Sequence, residues 1–589
     1  MDKLKTLRTL MKERGLDAYL IPSGDAHNSE YMAGYWKARA WFSGFTGSNG
    51  LVVVTHTEAG LWTDGRYFLQ AANQLAGSEI TLFKMDTPGV PKYQEYLADV
   101  LPTGGKLGFD GRVVEVKEYE KICNALKDKG ISYAYTEDLI GLIWQDRPPL
   151  PTAPAFEFES RFAGMSAANK LAIVREEMAK HQVSAYLVTA LDSIAWLMNI
   201  RGRDIPYTPV VYAYALITTG EAHVFIDRNK ISEFAAKLEA QGFTIHDYDS
   251  IADFLGKMPT KGKLLFDPAK TSILLVESLP KNLPTVQDLE TDIIAMQKAV
   301  KSEVELENTR NAYLKESVVM VRCLKWLCEC RDVSALTESD VARKLTGLRE
   351  EQADFLEDSF TTIAAYGANA AHAHYSPGPE GDSLKSEGFL LIDTGGQYLD
   401  GTTDTTRTIP LGPITDEMKR DFTLVLKGHI ALARAVFPGG TTGAHLDAFT
   451  RQPLWEYGLN FRHGTGHGIG YVLGVHEGPH NISKKSKVDL VPGMLVSIEP
   501  GFYVDGRYGI RTENIVEIVK CLETEYGQFY GFKPLMYCPI NTSVVDVALL
   551  TQAEIDYLND YHKKTYKLLS PRLTEAEKAW LHKATQPLK

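Results

Sequence analysis

The stretch LIDTGGQYLDGTTDTTRTI, residues 391–409, sets three aspartates among threonines and glycines. Asp393 ends an apolar, strand-like run, and Asp404 begins a second run that is rich in threonine. Carboxylates in half-buried β surroundings cost free energy unless a partner compensates them. What compensates these carboxylates decides how the surrounding domain folds and what it can do.

A hairpin would account for the spacing of the aspartates. If Gly396 faces Gly401, Asp393 lies opposite Asp404, and directly opposed Cβ atoms are roughly 4.5–5.5 Å apart. Two like charges at that separation repel, and a bound cation would relieve the repulsion. The pattern alone fits two surface carboxylates beside a turn equally well. Asp400 falls in the loop of this hairpin, and we expect it to be a solvated turn residue rather than a ligand.

The composition is typical of a folded chain with several domains. Its 589 residues predict two to four domains, and a net charge of −12 argues against nucleic-acid binding. Residues 1–21 have the pattern of an amphipathic helix and a strand rather than of a signal peptide. No apolar run is long enough to predict a membrane helix. Six sparse cysteines predict reduced structural thiols, so we expect a cytoplasmic protein.

Two segments of the N-terminal half resemble each other. MKERGLDAYLIPSGD (residues 11–25) aligns with MAKHQVSAYLVTALD (178–192), and in each a helix leads into a strand. Later in each copy, an apolar strand ends in an acidic–basic pair, in LWTDGRY (61–67) and in VFIDRNK (224–230). This internal similarity predicts two related α/β domains.

Proline-rich breaks divide the chain into three predicted domains. DRPPLPTAPAF (146–156) contains four prolines and predicts a stiff, extended linker, and a second break lies at 280–284. A long helix is predicted to begin near Ser302, which can form a capping box with Glu305. The predicted domains are residues 1–152, 153–297 and 298–589.

The third domain alternates helical and β-rich runs. Residues 415–437 predict a helix that ends at the following Pro-Gly-Gly. Strands are predicted within residues 388–394, 404–409, 493–500 and 510–519. This pattern predicts an α+β domain with a largely antiparallel sheet.

The segment FRHGTGHGIGYVLGVHEGPH carries four histidines, with glycine at every second position from 464 to 470. If this part is extended, His463 and His467 project from one face, and the other face has no side chains. Backbone and imidazoles could then approach a ligand closely. The segment matches neither a P-loop nor a dinucleotide-binding loop, so a glycine-rich structural loop is the alternative.

Two further acids end or line predicted strands. Glu499 closes GMLVSIEP, and Glu513 lies in IRTENIVEIV. Arg511 lies two residues before Glu513, on the same face of a strand, and is predicted to keep that carboxyl ionised. Either glutamate alone would more often be a solvated residue. Together with the residues above, they give one set of candidate metal ligands: Asp393, Asp404, His467, Glu499 and Glu513.

Four carboxylates and one imidazole match the charge of two divalent cations. A donor set rich in oxygen and without thiolate favours a hard ion such as Mn²⁺, with Co²⁺ or Zn²⁺ as possible substitutes. A site with two metal ions suits activation of a water molecule for hydrolysis.

These residues lie in motifs by which the sequence is identified as a member of the cytosolic-type aminopeptidases P. These are three-domain Xaa-Pro aminopeptidases of the pita-bread metallopeptidase family. The resemblance covers nearly the whole chain, through FSGFTGSNG, LWTDGRYFLQAA, VTALDSIAWLMNIRG, HYSPGPE, DGTTDTTRT, HGTGHGIG, VHEGP, EPGFY and GIRTEN. It implies α/β and α+β architecture, with two related creatinase-like N-terminal domains. A pita-bread catalytic domain with a C-terminal extension follows them.

The resemblance also implies a role for each candidate ligand. Asp393 would bind one metal ion, and His467 with Glu499 would bind the other. Asp404 and Glu513 would bridge the two ions. Glu499 would also accept the proton of the attacking water.

Further residues are implied to contact the substrate. His476 would stabilise the oxyanion, and His374 and His463 would line the pocket for proline and the scissile bond. Arg66 matches a substrate-contact position of the first domain, and Arg511 is expected among the substrate-binding residues.

The implied activity is release of the first residue from peptides with proline at position two, by a homodimer formed through the C-terminal domain. The nearest alternative is a prolidase, which cleaves Xaa-Pro dipeptides. A creatinase-like amidinohydrolase shares the fold but has no use for the complete set of metal ligands. A non-catalytic peptide- or histone-binding module would be expected to have lost some of these ligands.

Overall fold

A computed structural model describes every residue except 1, 288, 290, 291, 373, 374 and 379. The described residues form two compact units. The first lies within residues 1–158, 165–206 and 210–293, and the second within 159–164, 207–209 and 294–589. The predicted domain boundaries at residues 152 and 297 stay predictions.

The first unit contains two six-stranded sheets. The first sheet has the order β4-β3-β2-β1-β5-β6, with β1 (Ala18–Pro22), β2 (Leu51–Thr55), β3 (Ala59–Thr63), β4 (Thr81–Lys84), β5 (Lys106–Phe109) and β6 (Ser132–Ala134). The second sheet has the order β12-β11-β10-β8-β13-β14, with β8 (Ala185–Val188), β10 (Ala213–Thr218), β11 (Ala222–Ile226), β12 (Thr244–His246), β13 (Leu264–Phe266) and β14 (Thr285–Val286). A separate pair joins β7 (Phe156–Glu157) to β9 (Ile200–Arg201).

The two sheets have the same connectivity, which confirms the predicted internal similarity. Strands β1 and β8, the two aligned Ala-Tyr-Leu segments, occupy the same place in their sheets. Each is antiparallel to the next strand of its sheet in sequence and parallel to the strand on its other side. The helices up to residue 299 are α1 (Lys3–Glu13), α2 (Ala38–Ser43), α3 (Phe68–Gln74), α4 (Tyr93–Val100), α5 (Val116–Leu126), α6 (Leu139–Ile143), α7 (Ser160–Ala163, in the second unit), α8 (Ala167–Lys180), α9 (Leu191–Met198), α10 (Ala235–Ala240), α11 (Ile251–Leu255), α12 (Ile273–Glu277) and α13 (Ile293–Ala299, in the second unit from residue 294 onward).

The second unit is built from helices around antiparallel sheets. Its helices are α14 (Glu303–Glu329), α15 (Glu338–Glu350), α16 (Asp416–Ala433), α17 (Gly443–Trp455), α18 (Gln552–Leu569) and α19 (Glu575–Ala584). Its strands are β15 (Phe355–Asp358), β16 (Ile363–Tyr366), β17 (Phe389–Thr394), β18 (Gly396–Tyr398), β19 (Gly401–Thr402), β20 (Thr405–Pro410), β21 (Val436–Pro438), β22 (Gly466–His467), β23 (Asn481–Ile482), β24 (Leu495–Ile498), β25 (Gly501–Val504), β26 (Tyr508–Arg511), β27 (Asn514–Thr524) and β28 (Gly527–Pro534).

Helices cover the sheets through a continuous apolar core. The sheets run in the orders β16-β17-β20, β15-β18-β19 and β21-β28-β27-β24, and β22–β23 and β25–β26 form separate pairs. Helices α14 and α15 pack on β16 and β17 through residues such as Val319, Leu345 and Ile392. Helix α14 begins at the predicted capping box, since Ser302 Oγ accepts from Glu305 N–H. The fold therefore agrees with the predicted α+β domain.

The predicted register of the hairpin was wrong by two residues. Asp393 lies opposite Thr406 rather than Asp404, and Tyr398 pairs with Gly401 across a two-residue turn. The predicted loop was two residues longer. Because side chains alternate with period two, this shift leaves the faces of both strands unchanged.

Three smaller expectations also differ from the structure. Helix α16 ends at Ala433, and residues 436–438 form β21 instead of its last turn. The predicted strand at 510–519 is divided between β26 and β27, and Glu513 lies between the two. Asp400 is buried rather than solvated, because Lys315 Nζ lies 2.8 Å from its Oδ1 and Asn311 donates to its Oδ2.

The six cysteines are free thiols. Among the helices of the described residues, none combines the length and the apolar composition needed to cross a membrane.

A buried histidine connects the two halves of the first unit. His27 donates from Nδ1 to Thr189 O at 2.7 Å and accepts at Nε2 from the Tyr248 hydroxyl at 2.8 Å. Burial lowers the pKa of His27 to about 4. The neutral imidazole therefore belongs to the folded state, whereas the unfolded chain takes up a proton near pH 6.5.

This histidine should make the first unit sensitive to acid. The stability it contributes is present above about pH 6.5 and is lost as the pH falls towards 4, because only the unfolded state is protonated in that range. Between pH 7 and pH 5, the free energy of unfolding should fall by about 2 kcal/mol through this residue. Urea titrations of the wild type and of His27→Gln at both pH values measure it. An equal loss in both proteins would contradict the assignment.

Candidate metal centre

The five candidate ligands lie at the ends of strands that converge in the second unit. Asp393 is in β17, Asp404 precedes β20, His467 ends β22, Glu499 follows β24 and Glu513 precedes β27. Oxygen or nitrogen atoms of Asp404, His467 and Glu513 all lie within 4.8 Å of one another. His467 Nε2 lies 3.4 Å from Asp404 Oδ2 and 3.3 Å from Glu499 Oε1. Strand ends are a rigid support for such a cluster.

Glycines bring the histidine segment against its neighbours. A Cβ at Gly466 would lie 1.8 Å from Ser497 O, and one at Gly468 would lie 2.1 Å from Glu477 O. The glycines are thus needed for close packing of backbone on backbone, and the approach of a ligand to this segment stays a prediction. In this packing the His467 N–H donates a hydrogen bond to the Ser497 hydroxyl. The hydroxyl in turn donates to Glu499 Oε1 at 3.0 Å.

The orientation of His467 leaves one nitrogen free to act as a ligand. Its Nδ1 donates to Gly468 O at 3.0 Å, so Nε2 faces the carboxylates. Burial acts to lower the pKa of His467, but Asp404 and Glu499 outweigh it and raise the pKa to about 9. The surrounding carboxylates therefore favour a positive charge at Nε2. A metal ion would supply this charge.

Two carboxylate oxygens of the cluster have no hydrogen-bond partner among the described residues. They are Asp393 Oδ1 and Glu513 Oε1, and both are buried. Burial and repulsion from Asp404 and Glu499 raise the pKa of Asp393 to about 6 despite the nearby Arg511. The same causes raise the pKa of Glu513 well above its usual range. Orphaned oxygens in an anionic, buried cluster fit a site for divalent cations.

Arg511 binds Asp393, not Glu513 as the sequence suggested. Its Nη2 lies 2.5 Å from Asp393 Oδ2, and its Nη1 donates to the Tyr503 hydroxyl at 2.8 Å. Tyr503 in turn meets His463 Nε2 at 2.9 Å, while His463 Nδ1 donates to Gly464 O. His463 Nε2 must therefore accept from Tyr503. This chain of hydrogen bonds fixes the tautomer of His463, and burial lowers its pKa, so the ring is neutral.

Sequence reasoning missed two residues that orient the ligands. Thr406 lies opposite Asp393, accepts from Arg511 Nε at 3.2 Å and donates to Glu513 Oε2 at 2.7 Å. Tyr503 joins Arg511 to the histidine segment. The correct hairpin register would have pointed to Thr406. The only signal for Tyr503 is its place four residues after Glu499, in the quoted EPGFY.

The remaining candidates occupy different places. The exposed His476 has its ring edge-on to that of His467, with centroids 4.3 Å apart. Arg66 lies in the first unit and forms a two-point ion pair with Asp64. His374 lies outside the described residues. The substrate-binding roles of these residues stay predictions.

The comparisons with known proteins agree with this geometry. Residues 307–520 match the Metallopeptidase family M24, and residues 528–588 match its C-terminal region. Residues 3–144 and 146–305 each match a Creatinase/Prolidase N-terminal domain. The fold and the cluster thus define a metallopeptidase of family M24 with two creatinase-like N-terminal domains.

Proteins that match this chain along its full length identify one family within this class. The chain is 39% identical to Aminopeptidase P2 of Arabidopsis thaliana, over 100% of this chain and 88% of that protein. It is 40% identical to a probable Xaa-Pro aminopeptidase P of Laccaria bicolor, over 100% and 93%. An X-prolyl aminopeptidase from Caenorhabditis elegans, described as a cytosolic enzyme with a di-nuclear active site, is 37% identical and superimposes with a TM-score of 0.93, over 100% and 99%. The chain belongs to the Xaa-Pro aminopeptidase P family.

Removing the charge of Glu513 should stabilise the metal-free protein. Glu513→Gln keeps an acceptor for the Thr406 hydroxyl and removes a buried charge beside three other carboxylates. The melting temperature of the chelator-treated protein should rise by roughly 1–2 °C, as for about 1 kcal/mol in a cooperative unit of about 300 residues. Differential scanning calorimetry measures the change.

Glu517→Gln is the matched control, four residues further along the chain and within β27. Glu517 is also buried, but Arg310 Nη2 lies 2.8 Å from it. Removing its charge leaves Arg310 with only the exposed Glu303 as an anionic partner, so this variant should melt lower. A lower melting temperature for both variants would refute the repulsion that we assign to Glu513.

Proposed function

We propose that the chain hydrolyses the N-terminal Xaa-Pro bond of peptides, with two divalent metal ions and an activated water. The observation that carries the proposal is the cluster of four carboxylates and one imidazole, in which Asp404, His467 and Glu513 converge within 4.8 Å. Two of its carboxylate oxygens are buried and have no partners among the described residues. The family and the di-nuclear active site of the Caenorhabditis elegans relative support it.

Each ligand has a proposed place around the two ions. Asp393 would bind one ion, His467 and Glu499 would bind the other, and Asp404 and Glu513 would bridge both. The contact of Asp404 with His467, and of His467 with Glu499, is in keeping with this assignment. Four carboxylates would balance the charge of two divalent ions. The donor set of oxygens and one nitrogen favours Mn²⁺, with Co²⁺ or Zn²⁺ as alternatives.

When bound, the two ions would supply Lewis acidity and lower the pKa of a water molecule. Glu499 accepts the proton that this water loses as it attacks the scissile carbonyl. His476 donates a hydrogen bond to the developing oxyanion. The C–N bond would then break, and the proton taken up by Glu499 would pass to the proline nitrogen.

Proline at position two imposes its own recognition problem. An Xaa-Pro bond is a tertiary amide without an N–H, and the ring fixes φ. A peptidase that reads this N–H has no contact to make, so a pocket shaped for the ring must supply the specificity. We assign His374 and His463 to that pocket and Arg66 and Arg511 to binding of the substrate. His463 suits the role because its neutral ring is held in one tautomer.

The chain is proposed to act in the cytoplasm as a homodimer. The location follows the Caenorhabditis elegans relative, which is described as cytosolic. For the dimer, helix α17 and the residue two beyond it expose aromatic side chains: Phe449 is 44%, Trp455 51% and Tyr457 46% exposed. We propose these exposed aromatic side chains as contacts between the two copies. Light scattering on the purified chain tests the mass, and a monomer would exclude this part of the proposal.

Chain length of the substrate separates an aminopeptidase from a prolidase. Tripeptides and longer Xaa-Pro-Yaa peptides should be hydrolysed with much higher kcat/KM than Xaa-Pro dipeptides, because the proposed pocket must accept a chain that continues beyond proline. Xaa-Ala-Yaa peptides are the control and should be poor substrates. A preference for dipeptides would replace the assignment by a prolidase.

Replacement of His467 and replacement of His476 should affect metal content and turnover differently. His467→Ala removes a ligand, so metal content and turnover should fall together. His476→Ala should keep its metal and lose on the order of 10²–10³ in kcat, the cost of one oxyanion donor. Elemental analysis with steady-state kinetics compares them, and two manganese ions per chain are expected in the wild type. Normal turnover, or a similar loss of metal, in His476→Ala would show that the roles are wrong.

A further inference from the structure

Glu477 is a buried acid next to the candidate catalytic His476, and none of the roles above involves it. Lys298 Nζ lies 2.9 Å from its Oε2, and Lys301 Nζ lies 3.4 Å from its Oε1. All three side chains are at most 3% exposed. Buried ion pairs contribute little net stability because desolvation opposes them, but they fix geometry where their partners are held.

The partners of Glu477 are held in place. Lys301 Nζ also donates to Lys298 O at 2.7 Å, which holds the two lysines together just before helix α14. On the other side, His480 donates from Nε2 to Leu495 O, and burial lowers its pKa to about 4, so it is neutral. The carboxylate of Glu477 therefore faces the two lysines as its cations.

The backbone of Glu477 connects this anchor to both candidate histidines. Its N–H donates to Gly468 O at 2.8 Å, directly after His467. A Cβ at Gly468 would lie 2.1 Å from Glu477 O, so the two segments are in close contact. His476 is the preceding residue, and its side chain is exposed. The His476 ring lies edge-on to that of His467, with the centroids 4.3 Å apart, so the course of the loop backbone sets where the two rings meet.

We propose that Glu477, held by Lys298 and Lys301, is a positioning residue that aims His476 at the reacting carbonyl. The proposal rests on the proposed function, because the oxyanion role of His476 belongs to it. Glu477 touches no reacting atom. Its ion pair fixes the loop, and the loop fixes the imidazole relative to His467.

A double-mutant cycle separates positioning from general stability. Glu477→Gln should lower kcat by up to about 10²-fold, as a displacement of about 1 Å does, with metal content retained. In the His476→Ala background the same change should have almost no effect on kcat, because the positioned group is gone. Effects that multiply would overturn the proposal. Lys301→Met is the matched control, because it leaves the 2.9 Å pair of Lys298 and Glu477 intact. It should lower kcat less than Lys298→Met does.

A readout independent of turnover is the rate at which diethyl pyrocarbonate modifies His476, followed by mass spectrometry on the whole protein. Glu477→Gln should speed this modification and leave that of the exposed His445 unchanged. Equal rates at His476 would overturn the proposal. If Glu477→Gln does not fold, Lys298→Met takes its place in both experiments. A wild type that fails to hydrolyse Xaa-Pro-Yaa refutes the proposed function, and the modification rates still decide whether Glu477 positions His476.

Discussion

The second unit is organised around the cost of burying four carboxylates beside one another. Each loses hydration, and each repels the others, which raises the pKa of Asp393 and of Glu513. Neither effect can be relieved by local movement, because the side chains project from strand ends. The guanidinium of Arg511 balances the charge of Asp393, and the other carboxylates raise the pKa of His467. The arrangement is therefore most stable when cations fill it.

A second buried charge pair supports the cluster from behind. Arg349 and Glu316 form a two-point ion pair without solvent exposure. Arg349 donates to Thr394 Oγ1 at 2.6 Å, and Glu316 accepts from Thr403 Oγ1 at 3.2 Å. Each threonine is the immediate neighbour of one ligand aspartate. Through these two threonines, the ion pair holds the backbone next to Asp393 and next to Asp404 in place.

The sequence revealed the chemical types of the cluster and the duplicated architecture, but not the contacts that orient the ligands. The motifs that contain the carboxylates and histidines can be recognised in the sequence, and so can the Ala-Tyr-Leu segment shared by β1 and β8. The partner of Arg511 was not, because the predicted strand breaks at Thr512 and turns the guanidinium towards β17. The burial of Asp400 depends on Lys315, which lies 85 positions earlier in the chain. Such pairings exist only once the tertiary fold has formed.

The ligands come from five separate segments spread over 121 consecutive residues, from Asp393 to Glu513. While the chain emerges from the ribosome, none of these segments alone can retain a cation. The proposed metal centre therefore forms only when all five segments have folded together. A chain that ends before Glu513 would lack at least one of the proposed ligands.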